Sequence, residues 1–482
     1  MNFNKLIFAL AGIVLFASTI LAQALTQDAF LKQLKNSHPL FEKENLAAQI
    51  ETAEQNSLKG YEDWFISSSP YYLYSKPLAT SAFTPGRIDR FGLTAQVDRT
   101  FWKTGSRIAV SWASDYAKQD LDDIVIPGIV TIPASPSTYY QNTVALSFIQ
   151  PLWKNRGGSL DRLQYDLKKY DIDFAEIQAL ENIENFLAAS AARYLDWVLL
   201  TEQKEIFAER LKLSETELSR ITKKRDANLV DQADVIRTED AVRIWKQNLV
   251  LIESQWKALQ AELAVVSQNE EIYNSEPAYD LYTFKTLGSL EDEIALLNQK
   301  SRLLSPLQIR MKQLGNARQG YEEMSKSDLS FVAQLNTKNI DSDLGESLKM
   351  DKPDAYLGLQ FSVPLKKTTT KSEIHKTNLQ VTQLQKHADE ILLTLSSSLR
   401  NLRIQIDELK NVIQLNQEQI ISAKERTKEE LKLYNQGRGE LTFVIQSRDN
   451  EQNARLTYAQ NSLTYHKLLI QYTALIDQFY KE

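Results

Sequence analysis

The chain has 482 residues, with 15 glycines, 12 prolines and no cysteine, and 56 basic residues stand against 62 acidic ones for a net charge of −6. Such a length with so few, clustered glycines and prolines implies very long regular elements rather than one ordinary core. The near balance of charge, without a basic block, gives no footing for nucleic-acid binding, and the lack of cysteine excludes disulfides and a lipidated N-terminal cysteine.

Residues 1–24 carry one cation at Lys5, an apolar run from Leu6 to about Leu21 and the small-x-small site Ala22-Gln23-Ala24. This pattern predicts a secretory signal peptide cut after Ala24. The rest of the chain holds no comparable apolar run. An exported chain without a helical anchor is secreted, periplasmic or embedded as a barrel in an outer membrane. The four histidines, His38, His375, His387 and His466, have no ligand spacing and read as surface or packing residues.

From here the chain repeats one order of elements. A helix precedes a β-rich region over 61–152, a very long helix follows to Asp226, and a turn over 227–234 leads into a second helix to about Gln268. A linker covers 271–300. The second half, 301–482, then gives a helix, a β-region over 328–365, a long helix, a turn over 435–441 and a last helix. Gln150-Pro151-Leu152 corresponds to Val363-Pro364-Leu365, each closing an alternating strand ahead of a glycine-poor helix. Likewise Val235, Ile236 and Asp240 correspond to Val444, Ile445 and Asp449. The two structural repeats are therefore 25–270 and 301–482.

Each long helix, about Ser159 to Asp226 and Lys366 to Gln436, spans about 70 residues, or about 100 Å at 1.5 Å per residue. Apolar residues at mixed three and four spacing, such as Leu379, Leu384, Ile391, Leu395, Leu402, Ile406 and Leu409, call for side-by-side packing as in coiled coils. In the strand "AYLGLQFSVP", Ala355, Leu357, Leu359, Phe361 and Val363 share one face, and Tyr356, Gly358, Gln360 and Ser362 the other. Strands of this length and alternation suit a tilted transmembrane β-strand. Tyr71, Tyr72, Tyr74, Phe101, Trp102, Trp112, Tyr139, Tyr140 and Trp153 fit interfacial aromatic girdles. Two or three strands per half cannot close a barrel, and open edges are excluded from lipid, so several copies would share one.

In its repeat, its strand-Pro-Leu-helix junctions and the segments "IQPLWKNRGG", "ANLVDQADVIRTEDA" and "LYNQGRGELTFVIQSRDNEQNA", the sequence resembles the TolC family of outer-membrane efflux and secretion channels. The resemblance implies a mainly α fold with a β-barrel portion, in which long antiparallel coiled-coil helices form a periplasmic tunnel. It also implies a homotrimer with four principal strands per chain in a twelve-stranded barrel, with Pro151 and Pro364 at the strand-helix junctions. Its partners would be a periplasmic adaptor, an inner-membrane transporter and outer-membrane lipid. No cofactor or metal is implied.

The family's tunnel closes at the periplasmic tip. By resemblance Asp234 and Tyr434 are latch residues, and Arg438 is a displaced candidate because the family's latch arginine aligns with Gly439. Asp231 and Asp234, and Lys223, Lys224 and Arg225, also suit plain complementation of the helix dipole. Phe443 and Gln446 stand where well-known members carry an acidic ring at the entrance, and Phe443 also suits a coiled-coil core position. The turns at Asn228-Leu229-Val230 and Gln436-Gly437-Arg438, with Gly439, are the expected adaptor-docking tips. The hairpin over 91–116 exceeds the family pattern, and the sequence leaves open whether it lies in the barrel wall or outside it. No nucleophile elbow, phosphate loop or paired-acid site indicates an enzyme. The competing reading is a secreted or periplasmic structural coiled-coil protein without a pore.

Overall fold

The computed structural model describes residues 23–78, 81, 84–121, 123–126, 128–133 and 135–480. The predicted signal peptide lies outside the described residues apart from Gln23 and Ala24, and so does Pro127 in the proline-rich loop. In chain order the elements are β1 (Gln23–Thr26), α1 (Gln27–Ser37), α2 (Pro39–Ser57), β2 (Phe65–Ser75), β3 (Pro85–Phe101), β4 (Ser106–Leu121), β5 (Ile124–Ile126), β6 (Val130–Ile132) and β7 (Ser137–Pro151). Then come α3 (Leu163–Asp226), α4 (Gln232–Ser267), β8 (Ser275–Ala278), α5 (Leu290–Lys300), α6 (Ser305–Met324), β9 (Asp328–Asp341), α7 (Leu344–Ser347), β10 (Lys352–Ser362), α8 (Thr368–Asn435) and α9 (Leu441–Leu475). Among the described residues, no helix is long and apolar enough to cross a membrane.

The chain divides into two compact units. The first comprises the described part of Met1–Glu44 with Leu180–Arg302 and Leu392–Glu482. Its core is built from helix faces at 3.6-residue spacing. Leu187, Ala191, Tyr194, Leu195 and Val198 of α3 are buried, and several of them pack with Phe30 and Leu34 of α1, Leu259 and Leu263 of α4 and Leu463 of α9. The Tyr194 hydroxyl donates to the Leu25 carbonyl at 2.6 Å and accepts from the Ala278 amide at 3.0 Å. It thereby ties the parallel pair β1 and β8 to α3. On α8, Leu395 and Ile406 are buried as their spacing predicts, whereas Leu379 of the same stripe is exposed in the single chain.

The second unit, Asn45–Ala179 and Leu303–Ile391, carries the large sheet. Its order is β10-β9-β7-β4-β3-β2, antiparallel throughout. The sheet thus has six strands where the resemblance implies four principal ones. The extra hairpin is not an appendage, because β3 and β4 form seventeen- and sixteen-residue strands that pair between β2 and β7. The sequence hid this because β3 interrupts its alternation with Arg87, Arg90 and Asp98, and only strand register reveals which face those charges take.

The junctions also differ in detail. Pro151 is the last ladder residue of β7, opposite Ser330, but α3 does not begin until Leu163. Asn155 with φ of 60° and Gly157 with φ of 70° turn the chain in between. Asn155 holds that turn by donating to Asp161 at 2.9 Å and accepting from the Leu160 amide at 2.9 Å. Pro364 lies just beyond β10, and α8 begins within a few residues.

Candidate functional site

The sheet's two faces follow from its registers. Leu357 of β10 lies opposite Ala333, Leu335 opposite Leu146, Leu146 opposite Val110, Val110 opposite Val97, and Val97 opposite Ile66. Residues directly opposite share a face, so one apolar surface runs over all six strands. Phe91, Leu93, Trp112, Phe148, Phe331, Leu359 and Phe361 belong to it. Along β7 it runs from Tyr140 to Phe148. At about 3.4 Å per residue and a tilt of about 40°, those residues rise ~21 Å, close to the ~25 Å apolar band of a membrane barrel.

The opposite face is polar. Gln96, Arg107, Ser111, Ser147, Gln334 and Asn336 line a concavity of about 380 Å³ on it. Arg107 pairs there with Asp98 at 2.9 Å, which accounts for charges inside a strand. The predicted aromatic girdles divide accordingly. Tyr72, Tyr74, Trp112 and Tyr140 take the apolar face, whereas Tyr71 and Tyr139 take the polar one and hydrogen-bond to Asp115 and Arg90. Trp102 is buried against Tyr165. Consecutive strand residues must point to opposite faces, so a cluster of neighbouring aromatics cannot all face lipid. Two asparagines on the apolar face, Asn142 and Asn339, are covered by α7: Asn142 donates to the Ser347 hydroxyl and Asn339 to the Glu346 carbonyl, both at 2.8 Å.

In the first unit, two turns interrupt the long helices. After α3 the Asn228 amide bonds to the Arg225 carbonyl at 2.8 Å and the Leu229 amide to Lys224 at 2.8 Å. After α8 the Gly437 amide bonds to Tyr434 at 3.1 Å and the Arg438 amide to Leu433 at 3.0 Å. Asn228 and Gly437 occupy the same left-handed position, with φ of 56° and 71°. Both turns thus end their helix by the same motif. Asp231 and Glu440 then sit extended at the starts of α4 and α9.

Beneath the turns lies a small apolar cluster of Ile221, Val235 and Leu441, against which Val230, Tyr434 and Ile445 pack. Lys224 places its ammonium 4.3 Å from the Tyr434 ring centre. The Tyr434 hydroxyl is buried without a hydrogen-bond partner among the described residues. Burial first, then the Asp234 and Glu217 carboxylates, push its pKa above the usual phenol range. Asp234 accepts from Arg237 of its own helix at 2.9 Å. Within one chain, Asp234 and Tyr434 are thus brought near but are not bonded to each other. Arg438, Gly439, Asn228 and Leu229 lie at the turns, most of them exposed. Phe443 is 47% exposed and therefore stands outside the chain's own core, with Gln446 one helical turn further along.

Behind these turns lies an arrangement that no local sequence signal marks. Arg210 of α3 is fully buried, and its guanidinium bonds Asp449 of α9 at 2.7 Å and Ser214 at 2.6 Å. Trp245 covers it at 5.3 Å. Beside this pair a groove of about 520 Å³, floored by Ile244, Trp245 and Ile445, runs between α4 and α9. Asp240 and Asp449, matched in the sequence as corresponding residues, both line it. Elsewhere in the unit Glu181, Glu184 and Asp477 converge, but Arg302 reaches all three, so the trio is an ion-pair node.

No family model matches the sequence, and no curated protein matches it in sequence. Solved structures do match in fold. The outer membrane protein VceC from Vibrio cholerae superposes with a TM-score of 0.66 at 10% identity, over 94% of this chain and 97% of that one. The CmeC outer membrane channel of Campylobacter jejuni gives 0.64 at 11% identity, over 94% and 86%. The open state of the MtrE outer membrane channel of Neisseria gonorrhoeae gives 0.64 at 12%, over 94% and 89%. Sequence identity this low leaves only the arrangement of elements in common, and over nearly its whole length that arrangement is the fold of the TolC family of outer-membrane channels.

Proposed function

We propose that this protein is a trimeric outer-membrane channel-tunnel that exports substrates from a periplasm-spanning efflux or type I secretion complex. The observation that carries the reading is the continuous apolar face over six registered strands, backed by a polar face and ending in two edges unpaired among the described residues. Such a sheet has a place in lipid only if other copies complete it. It also tells against a structural coiled-coil protein without a pore, which has no use for a lipid-facing surface. The helical unit supports the same conclusion, since Leu393, Ile404 and Leu415 recur every eleven residues on α8 and are exposed in the single chain. Neighbouring helices are the natural cover for that stripe.

In this arrangement most of the mass lies in the periplasm, and residues 25–270 and 301–482 act as two structural repeats joined by the linker 271–300. The turns at 227–234 and 435–441 face a periplasmic adaptor coupled to an inner-membrane transporter. Asp234, Tyr434 and Arg438 serve the gate, and Phe443 and Gln446 narrow the entrance. Transport needs no catalytic residue or cofactor. The test is to extract the protein from outer membranes without refolding. A trimer that conducts ions in planar bilayers is expected, whereas a monodisperse soluble monomer overturns the proposal.

A further inference from the structure

The geometry points to an eighteen-stranded barrel, closed by three copies that each pair β10 with β2 of the next copy, with β3 and β4 as full members of the wall. The inference rests on the trimeric reading and deepens it by fixing the strand number and hence the width of the pore. Three observations carry it. The six strands alternate in direction without exception, so the outermost two run oppositely and two free edges meet as an antiparallel pair. Those edges match in length, at eleven residues each, and are exposed along almost their whole length.

The third observation concerns the hairpin itself. Leu93 and Val110 take the same face as Leu146 and Leu357, in unbroken register, while Arg107 and Ser111 take the polar face with Gln334. A hairpin projecting into water has no use for an apolar face continuous with the membrane band.

Width follows from strand number. At about 4.8 Å between strands and a tilt of about 40°, each strand takes ~6 Å of circumference. Six strands close on a diameter of ~12 Å, which side chains of about 5 Å from each side fill. Eighteen close on ~36 Å and leave a lumen of ~26 Å, whereas twelve would leave ~14 Å. The partner at each edge is therefore a second copy of this chain, and the conduit admits cargo considerably wider than a twelve-stranded wall would pass.

The chain has no cysteine, so single cysteines take spin labels cleanly. Labels at Leu93 and Val110 in the full-length protein in lipid vesicles are compared with labels at Leu146 and Leu357, using collision with oxygen against a water-soluble nickel chelate. All four sites are expected to favour oxygen several-fold. Wet labels at Leu93 and Val110 beside dry ones at Leu146 and Leu357 would overturn the eighteen-stranded wall while leaving the trimer standing. Wet labels at all four would remove the barrel reading as well. Electron microscopy of the unsubstituted protein in nanodiscs counts the strands directly: eighteen supports the inference and twelve overturns it.

Discussion

The Tyr71 hydroxyl donates to the Asp115 carboxylate at 2.7 Å although the two residues lie on strands separated by β3. Gly92 makes this possible. It lies opposite Tyr71 on one side and Asp115 on the other, so the tyrosine ring crosses a position with no side chain. A methyl group there would overlap both the ring and the carboxylate. Gly92→Ala is expected to cost about 1–3 kcal/mol, in the range of overpacking, and to lower the temperature at which the oligomer dissociates in detergent. Tyr71→Phe, which only loses the bond, should cost about 1 kcal/mol. Equal dissociation temperatures for Gly92→Ala and the parent would show that Tyr71 does not lie across that strand.

Among the described residues Arg210 has one carboxylate partner, Asp449, and is itself fully buried. Asp449→Ala leaves the guanidinium with Ser214 and the Trp245 face. Because Asp449 is partly open to solvent, the expected loss is about 2 kcal/mol, below that of a fully enclosed pair. Arg210→Met, which fills the site with an apolar chain, should be milder. Thermal unfolding of the two variants gives the order, and a milder Asp449→Ala would mean that solvent replaces the carboxylate.

Much of the fold was legible because its strongest signals are periodic. The ends of α3 and α8, the turns after Asp226 and Asn435, and the alternation of β10 all follow from spacing and from where Gly and Pro stop. The sheet was less legible because register is a property of pairs. Nothing local to Arg90 or Asp98 says that they take the polar face, and nothing local to Tyr71 separates it from Tyr72 until their partners are known. The buried Arg210 escaped for a similar reason, as a cation among many on a charged helix whose burial depends on Asp449, far along the chain.

The two helix-ending turns offer a matched comparison. Gly437 has φ of 71° with open space where a side chain would go, so Gly437→Ala pays only backbone strain, about 1 kcal/mol. Asn228→Gly at the equivalent position should be near neutral, because asparagine already tolerates that conformation. If these turns are the docking tips, cysteines at Leu229 and Arg438 should cross-link to the cognate adaptor far more than mid-helix controls. Uniform cross-linking along the helices would refute the assignment.

His466 is buried in the helical unit, with Nδ1 3.0 Å from the Tyr279 hydroxyl and Nε2 3.0 Å from the Leu281 carbonyl. Burial outweighs the nearby Asp280 and holds its pKa below the usual value, with Lys285 acting in the same direction. The unfolded chain, titrating near 6.5, therefore binds the proton first. Stability is full above that pH and falls as pH drops below it, until the folded histidine also protonates. Unfolding followed from pH 8 to pH 5 should show this slope, and His466→Gln should flatten it. An unchanged slope would assign the acid sensitivity to other groups.

The gate gives the last prediction. Among the described residues the Tyr434 hydroxyl is buried without a partner and the Asp234 carboxylate is engaged only by Arg237 at 2.9 Å, so a latch forms if the trimer brings these groups, or their neighbours' copies, into contact. Each such bond stabilises the closed state by about 0.5–1.5 kcal/mol, or up to about 3 where the carboxylate stays charged. Three-fold repetition makes the total a few kcal/mol, enough to hold most channels shut and little enough for a docked adaptor to overcome. Asp234→Ala with Tyr434→Phe should raise resting conductance and leave the trimer intact. Arg237→Ala should have the opposite tendency, because it releases Asp234 for the latch. With Phe443 and Gln446 in place of carboxylates, the opened pore should be weakly cation-selective and barely blocked by trivalent cations applied from the periplasmic side. A folded double variant that conducts like the parent would leave Asp234 as a partner of Arg237 alone, and strong trivalent block would place an acidic ring elsewhere in the lumen.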